Sequence, residues 1–101
     1  MSEAINEAVS KLQAASLRIA TGEANGKIAY NYYAPQLYDP RCHVIQALDA
    51  DGKPFATLVN YAVHPEVLGS DQGILSPDLI GPLRDRIAEK GGGTALFMNS
   101  A

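Results

Sequence analysis

The sequence predicts an α/β fold: a helix, a β-hairpin and a βαβ unit forming part of a larger mixed sheet. Three observations carry this. Apolar residues recur at helical spacing near the start and again between Leu79 and Ile87. Two apolar alternating runs flank Ala50-Asp51-Gly52-Lys53-Pro54, the clearest hairpin signal in the chain. A strand, a glycine-rich loop, a helix and a last strand then follow one another from Phe55 to Asn99, which predicts a βαβ unit with a right-handed crossover.

Residues 3–16 read as an amphipathic helix packed on the sheet. Ile5, Ala8, Val9, Leu12 and Ala15 form its stripe, Ser2 is placed to cap it, and Glu3 and Glu7 lie near its positive end. Leu17–Thr21 reads as a short strand, followed by a turn at Asn25-Gly26. From Gly26 to Tyr38 the chain carries Tyr30, Tyr32, Tyr33 and Tyr38, and Pro35 and Pro40 interrupt it. This predicts an irregular loop whose tyrosines either line a pocket or cover a core. Arg41–Asp49 and Phe55–Val63 are the hairpin strands, apolar enough on both faces to sit within a covered sheet. His43 opens the first of them as a structural or exposed residue. The loop Glu66–Gly73 follows, and Ser76-Pro77-Asp78 opens a helix that ends near Lys90 before three glycines. Pro82 belongs in its first turn, where a missing N–H costs little. Thr94–Asn99 is almost continuously apolar, as expected for a central strand covered on both faces.

Composition narrows the function. The 101 residues bound the chain to one domain, 47% are hydrophobic, 19% are charged and the net charge is -3. This fits a folded α/β protein with no nucleic-acid partner, since no basic stripe with interleaved aromatics is present. A single cysteine, Cys42, excludes an internal disulfide and a multi-cysteine metal cluster, and reads as a small apolar residue. Glu3, Glu7 and Lys11 interrupt residues 1–16, so that stretch is neither a signal-peptide core nor a transmembrane segment. Gly91-Gly92-Gly93 precedes a strand, whereas a phosphate cradle needs glycines leading into a helix N-terminus.

The chemistry-bearing feature is Phe55-Ala-Thr-Leu-Val-Asn-Tyr-Ala-Val-His64-Pro65, one of only two histidines at the end of a strand that proline stops. Alternation assigns Phe55, Thr57, Val59, Tyr61 and Val63 to one face, and Ala56, Leu58, Asn60, Ala62 and His64 to the other. A neutral imidazole there suits a metal ligand or a general base. Ligands of open α/β sheets bind beyond the carboxyl ends of strands, which brings His64 and Asn99 towards one another.

The ordered set Asp51-Gly-Lys-Pro54, Leu58-Val-Asn-Tyr-Ala-Val-His-Pro65, Ile74-Leu-Ser-Pro-Asp78 and Leu96-Phe-Met-Asn-Ser-Ala101, with Ala29-Tyr-Asn31 upstream, resembles the N-terminal catalytic domain of neutral/alkaline non-lysosomal ceramidases. The resemblance runs from about Leu17 onward. It implies a zinc amidase acting on ceramide or a related lipid amide, with His64 at the position of a zinc ligand. Asp78 matches a recurrent acidic residue with either a capping or a catalytic role. Asn60, Tyr30, Asn31 and Asn99 would shape the site. The family's His-x-His motif and its Glu and Tyr ligands have no counterpart here, and Ser100 precedes the position of its catalytic serine. The resemblance therefore implies that residues 1–101 are a partial domain, truncated at both ends and inactive alone, with exposed sheet edges open to self-association. Full-length relatives of this kind are often secreted or membrane-associated, which leaves the compartment open. The competing expectation is a non-catalytic small α/β module in which His64 is structural.

Overall fold

A computed structural model describes residues 1–26 and 28–100. Its elements are α1 (Ser2–Ser10), β1 (Ser16–Glu23), β2 (Arg41–Leu48), β3 (Pro54–Tyr61), α2 (Ile80–Glu89) and β4 (Thr94–Asn99), with one 3₁₀ turn at Ser70–Gln72. The strands form one mixed sheet in the order β1-β2-β3-β4. β1 and β3 run antiparallel to β2, and β4 runs parallel to β3 after the α2 crossover. The expected α/β class, hairpin and βαβ unit are all present.

At the hairpin end, short-range chemistry fixes the chain. Asp49 Oδ1 accepts hydrogen bonds from the backbone N–H groups of Asp51 (3.0 Å) and Lys53 (2.9 Å), and its own N–H donates to the Lys53 carbonyl. Gly52 takes a left-handed φ of 77° inside this turn. The three glycines after α2 also have separate roles. Gly91, at φ 72°, and Gly92 donate to the carbonyls of Ala88 and Ile87, the Schellman closure of a helix. Gly93 combines a φ of 72° with a backbone so close to Phe55 that any Cβ would strike the Phe55 carbonyl.

The alternation along β3 is as read. Thr57, Val59 and Tyr61 are buried on the face that α2 covers, together with Ala95 of β4. A polar ladder crosses this same face. Arg18 donates to Gln46 Oε1, Gln46 Nε2 donates to Thr57 Oγ1 (3.1 Å), and Thr57 Oγ1 donates to the Gly92 carbonyl (2.6 Å). Thr57 is only 3% exposed, so these bonds satisfy a hydroxyl that would otherwise be costly to bury.

Four expectations are corrected. The first helix ends at Ser10 instead of residue 16, starts with Ser2 already inside it, and packs on nothing: none of its residues is buried. Helices this short depend on tertiary packing for their stability, and without that packing the pattern from Leu12 to Ala15 does not stay helical. β1 extends over Ser16–Glu23, beyond the expected Leu17–Thr21, because β2 offers partners along that whole length. β3 stops at Tyr61, short of Val63, since its last partner in β2 is Cys42 and the Tyr61 carbonyl instead accepts from Val63 and Ser100. β4 is an edge strand. Ala95 faces α2, but Leu96 and Met98 are exposed with Leu17 and Ile19 on an uncovered sheet face. Of the sequence motifs quoted above, Lys27 and Ala101 lie outside the described residues.

Candidate functional site

Beyond the carboxyl ends of β3 and β4 the chain encloses an open cleft of about 660 Å³. One wall is the tyrosine-bearing segment, with Tyr30, Asn31, Tyr32 and Tyr38. The opposite wall is Ala62–His64, Glu66 and Val67, and Asn99 and Ser100 close the floor. Tyr30, Asn31, His64 and Asn99, singled out from the sequence, therefore share one cavity.

Each wall has its own local cause. Asn31 uses its whole amide to shape the first: Oδ1 accepts from the N–H groups of Tyr33 and Ala34 (both 3.0 Å), and Nδ2 donates to the Leu37 carbonyl (3.2 Å). Such Asx turns are an alternative to regular structure in polar, proline-broken segments. The tyrosines do not cover a core; Tyr30, Tyr32 and Tyr33 are exposed, and Tyr32 and Tyr33 meet edge to face. Asp39, at the base of this wall, is bound by the Arg41 guanidinium and by the Arg41 N–H, which hold its carboxyl down at about 2. Burial pushes the Tyr61 phenol up, with Tyr38, Cys42 and Asp39 adding to the effect, and burial also pushes the Cys42 thiol up. Neither is poised as a nucleophile.

The second wall is a turn. His64 does not continue the β3 alternation; Ala62 and Val63 carry it clear of the sheet, and its side chain is 70% exposed. Its Nδ1 lies 3.1 Å from Glu66 Oε1. The Glu66 N–H donates back to the His64 carbonyl (2.9 Å), and the Glu66 carbonyl accepts from Gly69 (3.2 Å).

Asp78 and Asn60 lie outside this cleft. Asp78 Oδ2 accepts from the Leu68 N–H (2.9 Å) and Oδ1 from the Leu79 N–H (2.6 Å), tying the loop after His64 to the start of α2. Its carboxyl is pulled below its ordinary value chiefly by the Leu68 N–H, against a smaller opposing effect of burial. Asp78 also holds a left-handed φ of 49°, a cost that its two backbone bonds offset. It faces a neighbouring cleft with Pro65, Ser70 and Ser76. Asn60 Nδ2 donates to the Met98 carbonyl (3.0 Å), a strand-to-strand bond on the sheet. Glu66 and Asp39 are the site residues that sequence reading missed as individuals. The spacing His-Pro-Glu, which returns a carboxylate to the ring across a proline turn, is the signal that was there to be used.

Among the described residues no three His, Cys, Asp or Glu side chains come together to hold a metal ion. The donor set fits one corner of a zinc site, His64, and not a whole one.

The same architecture occurs in a neutral ceramidase from Pseudomonas aeruginosa, with a TM-score of 0.72 and 21% identity over 97% of this chain. The chain has the fold of a neutral ceramidase segment. A ceramidase complexed with C2 matches equally, with a TM-score of 0.72 and 22% identity over 94% of the chain. This chain spans 18% and 17% of the length of those two proteins. No protein-family model matches the sequence, and no curated protein matches it.

Proposed function

We propose that this chain is part of a larger zinc-dependent amidohydrolase domain that cleaves the N-acyl bond of ceramide or a related lipid amide, and that alone it is inactive. The observation that carries the reading is the position of His64 on a ceramidase-like fold. It is an exposed imidazole beyond the carboxyl ends of two parallel strands, at the wall of a cleft. Zinc held there would supply polarisation of an amide carbonyl and acidification of a water molecule. This chain's own share is one imidazole ligand from His64, with Tyr30, Asn31 and Asn99 shaping the approach and Asp78 holding the loop beyond. Asn60 serves from behind, fixing β3 to β4. No helix among the described residues is long and apolar enough to cross a membrane. The apolar sheet face bearing Leu17, Ile19, Leu96 and Met98 supports the larger-domain reading, and in the isolated chain that face and the two edges promote self-association.

The reading is tested in the natural reading frame around this segment. An in-frame His-x-His upstream and a zinc-dependent amidase activity lost on His64→Ala support it. Stop codons close to both ends overturn it in favour of a non-catalytic module.

A further inference from the structure

Glu66 belongs to no motif that carries the ceramidase resemblance, yet its carboxylate is the only hydrogen-bond partner of the His64 ring among the described residues. A carboxylate can only accept, so in the neutral ring the proton at this contact sits on Nδ1. Nε2 is then left with a free lone pair. We infer that Glu66 is a positioning residue that holds His64 in the Nδ1–H tautomer and so selects Nε2 as the nitrogen presented to a ligand. The inference rests on the proposed metal role of His64 for its purpose, but not for its geometry.

The backbone explains why a glutamate at this spacing can do this. The bond from the Glu66 N–H to the His64 carbonyl (2.9 Å) closes a three-residue turn centred on Pro65, whose ring already fixes φ. That turn points residues 64 and 66 back towards one another. It is anchored twice on its far side, by Gly69 donating to the Glu66 carbonyl and by Asp78 accepting from Leu68. His43 provides the contrast. Its Nδ1 meets Thr21 Oγ1 at 2.9 Å, and a hydroxyl can donate or accept, so that contact selects no tautomer. Carboxylates in this relation to a metal-ligating histidine orient its ring, and losing one typically costs about ten-fold or more in metal affinity.

The experiment is ¹⁵N imidazole spectroscopy on the chain at a pH where the ring is neutral. His43→Gln leaves a single imidazole to observe. The expected result is a protonated Nδ1 and an unprotonated Nε2 at His64. Glu66→Ala should shift the balance towards Nε2–H, and Glu66→Gln, which keeps an acceptor oxygen, should restore it in part. An Nε2–H tautomer in the presence of Glu66, or a balance that Glu66→Ala leaves unchanged, overturns the inference. Titrating zinc into the same samples separates the two readings. Loss of about ten-fold in affinity at Nε2 in Glu66→Ala supports both. An Nδ1–H ring whose Nε2 ignores zinc supports the tautomer assignment and contradicts the proposed metal role.

Discussion

The two ends of the sheet are built by different means. At the hairpin end, turns close over a few residues, with glycines at fixed positions and Asp49 satisfying the backbone locally. At the other end, long loops are shaped by side chains: Asn31 reaches the main chain of residues 33, 34 and 37, Asp78 that of residue 68, and Glu66 the His64 ring. The difference teaches where stability and function are separated. The hairpin end and the covered face hold the fold, and the loop end displays chemistry at small cost to it.

If that division is right, changes at the hairpin end should unfold the chain and changes at the cleft should not. The largest effect is expected from Gly93→Ala, which combines a forbidden φ with collision against the Phe55 carbonyl. It should cost about 3 kcal/mol or more in urea denaturation. Gly52→Ala, also at positive φ but with open space around it, should cost only about 1 kcal/mol. Thr57→Val comes next. It keeps the shape but leaves the Gln46 amide and the Gly92 carbonyl without their partner on the covered face, for a loss of about 2 kcal/mol by the same measurement. Asp78 sharpens the comparison through pH. Its folded-state carboxyl lies below its ordinary 3.8, so its stabilisation is fully present above that value and is lost as pH falls through the depressed one. Protection of the Leu68 amide, taken relative to its intrinsic exchange rate at each pH, should fall in that acid window and, in Asp78→Asn, at neutral pH, with the Leu58 amide unaffected in the variant. The smallest effect is reserved for α1. Deleting residues 1–10 should change stability by less than about 0.5 kcal/mol, because no α1 residue is buried.

The same contrast decides what could be read from sequence. The hairpin, the βαβ unit and the buried face of β3 were legible because short-range signals dictate them: Asp51-Gly52, the glycine stop, the alternation from Phe55 to Tyr61. The length of α1 was not, since apolar periodicity predicts packing but does not supply the partner to pack on. Nor was the end of β3, which depends on where β2 begins rather than on Pro65. In the cleft, the sequence brought Tyr30, Asn31, His64 and Asn99 into consideration together. It could not show that Asn31 is committed to its own turn, or that Asp78 opens on a different cleft. Those outcomes turn on individual hydrogen bonds between residues that no periodicity relates.

The central claim is that the loop end presents His64 as a metal ligand. The most direct measurement is a zinc titration of the His43→Gln chain followed at the His64 ring nitrogens. The account predicts weak, saturable binding that perturbs Nε2 and disappears in His64→Ala. Zinc that binds with the same affinity in His64→Ala, or leaves the His64 ring unperturbed, would contradict it.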